Sequence, residues 1–342
     1  VIQNISVEER VSNRLKTFYT SPSRLWQGRI ARKALAAIEL EYKPDIVLTI
    51  FGPAYHRFKA PHICGFADGW VTHRSAVAMS ILTPGRRLYI LVKCLYKRLR
   101  MYKKDYYLVE ADVASRGLVR LLGIPSTKIK VIPNSYADVF EKSSIGEDKE
   151  LTNSNVRIFC LAAPYQHKNL TIIPEVASLL RKNDPDRVYC FIVTLPDDGP
   201  VVHKFWAMVD KYGVKDMIEN AGRIKLQECP RFYALSDIVF LPTLLETFSA
   251  TYPEAMVMGK PIVTTDLDFA HDICGDAAAY YSPLSAEAAA NMLGQVAGDP
   301  RLRETLIANG QNRLKYFPSP QQKYRMMLQW IQEVADRDRK SI

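Results

Sequence analysis

Nowhere in this 342-residue sequence do eighteen or more apolar residues run together, so no segment is long enough to cross a bilayer as a helix. Closely paired cysteines are missing too: Cys64, Cys94, Cys160, Cys190, Cys229 and Cys274 never stand at Cys-x-x-Cys spacing. That argues against a zinc site and a disulfide framework, and it predicts small core hydrophobes in a reducing, cytoplasmic setting. No short fixed-period repeat and no low-complexity tract occurs. The opening stretch VIQNISVEERVSNR is polar and charged, with no signal-peptide pattern visible, and the missing initiator Met predicts a segment of a longer gene product. Acidic residues are in the minority. With 46 Lys and Arg against 36 Asp and Glu, the formal charge is +10, which favours an acidic partner: anionic lipid, a phosphate-bearing substrate or nucleic acid. The rest of the composition is that of a soluble globular chain, long enough for one large domain or two ordinary ones.

Apolar segments alternate in period along the chain. GRIARKALAAIELEY reads as a helix and PDIVLTIF as a strand, with the apolar HICGF soon after. RRLYILVKCLYKRLRMYKK reads as one long helix, DYYLVEA as a strand, ASRGLVRLLGIP as a short helix closed by Gly123 and Pro125, and KIKVIPN as a strand. The polar stretch 143–155 carries no apolar periodicity and is expected to link two domains. Beyond it VRIFCLAA, LTIIPEVASLLRK, RVYCFIVTL, HKFWAMVDKYG, SDIVFLPT and KPIVTTD repeat the strand–helix alternation of parallel βαβ units. After the break PSP, the tail QQKYRMMLQWIQEVADRDRK is an amphipathic helix.

The stretch ETFSATYPE, residues 246–254, places a carboxylate at each end of a turn where a strand gives way to a helix. Ligands in doubly wound sheets bind beyond the carboxyl ends of strands. There, backbone N–H groups and a helix start offer an anion site. Thr247 and Ser249 add hydroxyls suited to phosphate oxygens, with Phe248 between them; Glu254 can accept from ribose hydroxyls, and Glu246 faces the sugar side of a diphosphate. The bland alternative is a capped helix beside a solvated loop carboxylate.

Context decides between the two. The stretch from GRIKLQECPRFYALSD through TFSATYPEAMVMGKPIVTTD to AAAYYSP resembles the donor-binding half of retaining family 4 glycosyltransferases of the GT-B fold. The family pattern is a Glu, seven residues, a second Glu, an Ala-Met pair and a Gly-Lys-Pro turn. Here these are Glu246, Glu254, Ala255-Met256 and Gly259-Lys260-Pro261. LVEADVASRGLVRLLGIPSTKIKVIPNS is similar to the end of the family's first domain, and the resemblance covers residues 106 to 317 well and the first hundred weakly. It implies an α/β chain of two doubly wound Rossmann-like domains facing across a cleft. An acceptor-binding domain over 1–142 would be completed by a crossing helix over 318–342, and a nucleotide-sugar domain would occupy 155–317.

The resemblance also implies a reaction: transfer of a sugar, with retention, from a UDP- or GDP-linked donor to a glycan or lipid-linked acceptor. The setting expected is surface polysaccharide synthesis at the inner face of the cytoplasmic membrane, with no cofactor and no metal. Lys168, in PYQHKNL, matches the residue that holds the pyrophosphate, and Arg223 lies in a loop used near the base. In the first domain Asp68, within CGFADGW, matches the Asp of a His-Asp pair; Ala67 stands where the His would be, with His62 and His73 as candidate replacements. Ala162 stands where many relatives carry an Arg, Thr247 and Ser249 replace two glycines, and the Gly-rich turn after the family's first strand is not seen. These departures keep open a non-catalytic binding subunit, and an epimerase on the same architecture remains a third reading. Tyr252 and Phe269 are candidates for shaping sugar choice. Asp-x-Asp triplets at 184–186, 266–268 and 336–338, the kind that bind metal in a different glycosyltransferase fold, come without a companion ligand cluster and carry no metal reading.

The segment from Arg86 to Lys104 has eight basic residues and no acidic one. Arg86, Lys93, Lys97, Arg100 and Lys104 are expected on one helical face, as an acceptor or anionic-membrane site, with Leu88, Leu91, Val92, Leu95 and Leu99 on another. The apolar set is either a core-facing stripe or a membrane-facing one. No nucleic-acid motif accompanies the charge.

Overall fold

A computed structural model describes residues 21–24, 26, 28–141 and 155–339. Apart from Asn155, the proposed linker lies outside the described residues. The first sheet forms from β1 (Val47–Thr49), β2 (His62–Gly65), β3 (Tyr106–Val109) and β4 (Ile129–Val131), all parallel and in that order. Around it run α1 (Arg29–Tyr42), α2 (Gly69–Thr72), α3 (Ala76–Ser80), α4 (Pro84–Arg98), α5 (Asp112–Leu122) and α6 (Asp138–Glu141).

The second sheet is also parallel, ordered β10-β9-β8-β5-β6-β7. Its first arm is β5 (Asn155–Cys160), α7 (Ile173–Asn183), β6 (Val188–Val193), α8 (Pro200–Tyr212) and β7 (Ile218–Asn220). The chain then returns through α9 (Cys229–Ala234) to β8 (Ile238–Leu241), α10 (Thr251–Val257), β9 (Ile262–Thr265), α11 (Asp268–Cys274) and β10 (Ala278–Tyr281). Three further helices follow: α12 (Ala286–Gly298), α13 (Pro300–Arg313) and α14 (Pro320–Arg339).

Alternation along the strands explains why this sheet reads as unbroken apolar runs. Val156, Ile158 and Cys160 of β5 point into one core with α7, α8 and α12, while Phe159 points into the other with α9, α10 and α11. A sheet buried on both faces needs hydrophobes at every position. In the first sheet Cys64, Tyr107 and Val109 face α4 and α5, whereas Ile63, Leu48 and Leu108 face Trp330 and Val334 of α14. The tail helix therefore returns to the first sheet.

The order of the second sheet matters for function. From β5 the chain winds outward to β7, then jumps back to β8 on the other side of β5 and winds out to β10. Adjacent strands whose following helices lie on opposite faces leave a crevice at their carboxyl ends. That switch point lies between β5 and β8, the two strands leading into the segments carrying Lys168 and Glu246.

Candidate active site

Three strand ends converge. Beyond β5 the chain makes a turn over Gln166–Lys168; beyond β8 it forms the loop to α10; and beyond β2 of the first sheet it enters α2. Leu244 N–H donates to the His167 carbonyl at 2.7 Å, which pins the two second-sheet loops together. The Lys168 ammonium donates to Glu246 Oε1, which also accepts from Thr243 Oγ1 at 3.0 Å. Both ends of this ion pair are mostly withdrawn from water, at 16% and 10% side-chain exposure, so screening is weak.

Glu254 sits in α10, only 8% exposed, and accepts from the Tyr233 hydroxyl at 2.8 Å. Burial pushes its carboxyl above the usual range, while the Tyr233 hydrogen bond pulls it back down. Burial likewise pushes the Tyr233 phenol well above 10.0. One carboxylate oxygen is thus committed to Tyr233. Within the loop Ser249 is buried, Thr247 is half-buried, and Phe248 packs edge-on against Phe317 at 5.8 Å. Arg223 is exposed, just after Gly222 in the segment that follows β7.

Across the cleft, Asp68 caps α2, accepting from Trp70 N–H at 3.1 Å. Its other oxygen accepts from the Lys97 ammonium. His73, closing the same short helix, donates from Nε2 to the Glu246 backbone carbonyl at 2.5 Å. A carbonyl only accepts, so Nε2 carries the proton. Burial depresses the His73 pKa, leaving Nδ1 to accept from Thr72 Oγ1 at 2.8 Å. An imidazole of the first domain therefore rests on the backbone of the residue whose carboxylate holds Lys168. His167 is drawn in as well: its ring meets Trp70 edge-on at 5.8 Å and stacks on Tyr165 at 5.6 Å. Burial, and then the neighbouring Lys168, lower its pKa to about 4.

Apolar and ionic contacts hold the two sides in register. Ala78 packs with Leu244 and Leu245 beneath the site. Asp272 accepts from Val113 N–H and from Arg116 at 3.0 Å. Gly117 of α5 allows α2 to approach: a Cβ there would stand 2.1 Å from the Thr72 carbonyl oxygen. A cavity of about 620 Å³ opens between α1 and the segment after β1, lined by Leu35, Tyr42, Phe51 and Phe58 among others, and none of the crevice's charged groups lines it.

The convergence joins Lys168, Glu246, His73 and Asp68 in one cleft, with Glu254 buried in the helix that follows. Several expectations need correcting. The helix expected to run to Lys104 ends at Arg98, because the chain must turn through Tyr102 to enter β3. Arg100 and Lys104 therefore leave the expected face: Arg100 lies over the Tyr96 ring at 5.4 Å, and Lys104 donates to the Phe58 carbonyl. Lys97 is not a free surface cation but the partner of Asp68, whereas Arg86 and Lys93 are exposed. His62 is a core residue, bonded to Asp105 at 2.9 Å and to Thr49 at 2.8 Å, so it cannot replace the absent His. Tyr252 and Phe269 are 0% and 2% exposed, packed into the second domain, and cannot touch a sugar in the cleft. Of the acidic triplets, Asp184 serves Arg187 and Tyr189, both at 2.6 Å, and Asp266 serves His271.

Tyr233, Thr243, His167 and Trp70 escaped the sequence reading. None belongs to a spaced motif. Tyr233 lies 21 positions from Glu254, and only the packing of α9 against α10 joins them.

Residues 144–313 match the family described as glycosyl transferases group 1. The MMP alpha-(1->4)-mannosyltransferase of Mycolicibacterium hassiacum is 25% identical over 125 residues, which are 36% of this chain and 29% of that one. The match thus spans less than a third of that relative's length. Among solved structures, a glycosyltransferase from Rickettsia africae superposes with a TM-score of 0.70 at 17% identity, covering 97% of this chain and 88% of that one. Anabaena HepE in complex with UDP-glucose superposes with a TM-score of 0.68 at 15% identity, covering 89% and 83%. These are two-domain GT-B chains, the fold described above.

Proposed function

Because the chain belongs, through residues 144–313, to the glycosyl transferases group 1 family, we propose that it moves a sugar, with retention, from a nucleotide diphosphate to a hydroxyl of a glycan or lipid-linked acceptor. The observation that carries this reading is the placement of Lys168 and Glu246 at the switch point between β5 and β8, opposite Asp68 and His73 of the first domain. In the reaction the bond from the anomeric carbon to the diphosphate oxygen breaks. A bond to the acceptor oxygen forms on the same face, and the acceptor proton passes to the departing phosphate. Negative charge grows on the diphosphate as it leaves, and a fixed ammonium at that point stabilises the transition state more than the ground state.

Each residue takes a part on this reading. Lys168 exchanges Glu246 for phosphate oxygens when donor enters. Glu246, released, hydrogen-bonds sugar hydroxyls. Glu254, with one oxygen held by Tyr233, offers the other to the ribose. Thr247 and Ser249 line the diphosphate, with Phe248 packed behind them, and Arg223 stands toward the base. Asp68, oriented by Lys97, faces the acceptor side. The HepE complex with UDP-glucose supports a uridine donor and the mannosyltransferase relative supports a mannosyl one, so UDP-glucose and GDP-mannose are the first two to test. The setting we favour is surface polysaccharide assembly.

The test is release of nucleoside diphosphate from each donor, with and without glycan acceptors, by the wild type and by Glu246→Gln. Acceptor-dependent release that collapses in the variant supports transfer. Conversion of donor without acceptor and without release points to epimerisation. Donor binding with no turnover under any condition points to a binding subunit.

A further inference from the structure

We infer that His73 is a positioning residue: carried on one helical turn with Asp68, its imidazole fixes the backbone of Glu246, so that the carboxylate is aimed only when the two domains meet. The inference rests on the transferase reading of Glu246. Asp68 opens α2 and His73 closes it, with His73 N–H donating to the Gly69 carbonyl at 2.9 Å. Three residues of that turn meet the second domain, each at a different place. A Cβ added at Gly69 would stand 3.1 Å from Leu245 Cδ1. The Trp70 ring meets His167 edge-on at 5.8 Å. His73 Nε2 donates to the Glu246 carbonyl at 2.5 Å. This one turn of the first domain therefore touches both loops that hold the Lys168–Glu246 pair.

The Glu246 loop has little else to hold it. Among the described residues, no other hydrogen bond reaches the backbone of residues 246–248. The Glu246 carboxylate is held by Lys168 and by Thr243. Once Lys168 turns to the diphosphate, Glu246 keeps Thr243 at its side chain and His73 at its backbone. A bond to the carbonyl removes rotational freedom from the loop before the sugar hydroxyls arrive, which is the part a positioning group plays. The ring is prepared for this bond. Nε2 must carry the proton to reach a carbonyl, and the Thr72 hydroxyl, 2.8 Å from Nδ1, supplies its own proton there. It is free to do so, because the Asp68 carbonyl, 3.2 Å from the same hydroxyl, already accepts from Val71 N–H at 3.0 Å and Thr72 N–H at 3.2 Å. Thr72, 1% exposed, thus selects the tautomer that reaches Glu246. Since Asp68 and His73 share one turn, the acceptor-facing carboxylate and the sugar-facing one are set by a single rigid piece.

The experiment compares the wild type with His73→Leu, His73→Gln and Thr72→Val. Release of nucleoside diphosphate from UDP-glucose and GDP-mannose gives kcat and donor KM, small-angle X-ray scattering without substrate gives the radius of gyration, and melting shows that each variant folds. Leu fills the space without a donor, whereas Gln places an amide N–H near the Nε2 position. His73→Leu should lower kcat about three- to tenfold, the span of one neutral hydrogen bond, with donor KM within about twofold of wild type. Its radius of gyration should exceed that of the wild type. His73→Gln should restore both, and Thr72→Val should fall between. A merely structural contact would lower the melting temperature without parting kcat from KM, and Gln would not rescue it. His73→Leu with wild-type kcat and radius would overturn the inference, and so would His73→Gln as slow as His73→Leu at wild-type melting. If His73→Leu does not fold, His73→Gln and Thr72→Val carry the comparison. A wild type that releases no nucleoside diphosphate would end the transfer reading instead; the scattering needs no turnover, and an unchanged His73→Leu radius would then overturn the inference on its own.

Discussion

Replacing Lys168 by Met keeps the bulk of the side chain and removes its ammonium, and two separate consequences can be worked out. In the empty protein Glu246 loses its cation and keeps only Thr243 Oγ1 at 3.0 Å. A carboxylate that is 10% exposed and half-satisfied costs about 1–3 kcal/mol. Lys168→Met should therefore melt lower than wild type. Adding Glu246→Gln removes the stranded charge, so the double variant should lose less stability than the two single losses summed, with a coupling of about 1–3 kcal/mol. In the reaction the balance differs. One preorganised donor aimed at developing charge contributes about 3–4 kcal/mol, so turnover should fall about 10²–10³-fold in Lys168→Met. Glu246→Gln should not restore it. Thermal melting gives the first set of numbers and nucleoside diphosphate release the second. A Lys168→Met protein that turns over donor within about threefold of wild type would refute the assignment of this ammonium to the leaving group.

Other perturbations follow from the same geometry. Tyr233→Phe removes the hydrogen bond that holds the Glu254 carboxyl down against burial, so its pKa rises further. The group is already raised in the folded state, so its contribution to stability is full below 4.5 and is lost as pH rises through the folded value. The variant should extend that loss to higher pH and move the acid limb of donor binding upward; an unmoved binding profile would mean that Glu254 does not act as a carboxylate. His167, lowered from 6.5 to about 4, contributes stability that is full above 6.5 and lost as pH falls toward 4. His167→Phe keeps a ring against Trp70 and Tyr165 and should flatten the acid side of the melting curve, which an unchanged curve would contradict. Gly117→Ala places a methyl group against the Thr72 carbonyl, so α2 must move. A loss of about 1–3 kcal/mol is expected, together with weakened acceptor kinetics, and wild-type melting would show that α2 and α5 have slack.

The second domain was legible because its strands are buried on both faces and its helices on one, so the period of the apolar residues switches at every boundary. The Gly-Lys-Pro turn was legible for a local reason. Gly259 adopts φ +61°, ends α10 and lets Lys260 N–H reach the Ala255 carbonyl at 2.9 Å, a helix stop written into adjacent residues. The first domain was harder to read. Helix α4 has two apolar faces, and periodicity cannot choose between Ile90 with Cys94 and the leucine stripe; packing against the sheet chose the smaller. Its end at Arg98 has no Gly or Pro to announce it, since the demand comes from β3. Lys97 looked like one cation among eight because its partner, Asp68, is 29 positions away. His73 was visible only as a candidate, since the carbonyl it holds lies 173 positions further on.

The tail helix gives the chain a particular mechanics. The polypeptide passes from the first sheet to the second after β4 and comes back with α14, whose Trp330 and Val334 lie under Ile63. Helix α14 stays with the first sheet, whereas α13 before it packs into the core of the second through Leu306. Any movement of one half against the other must therefore be taken up in part at the short Pro318–Ser319 junction between those two helices.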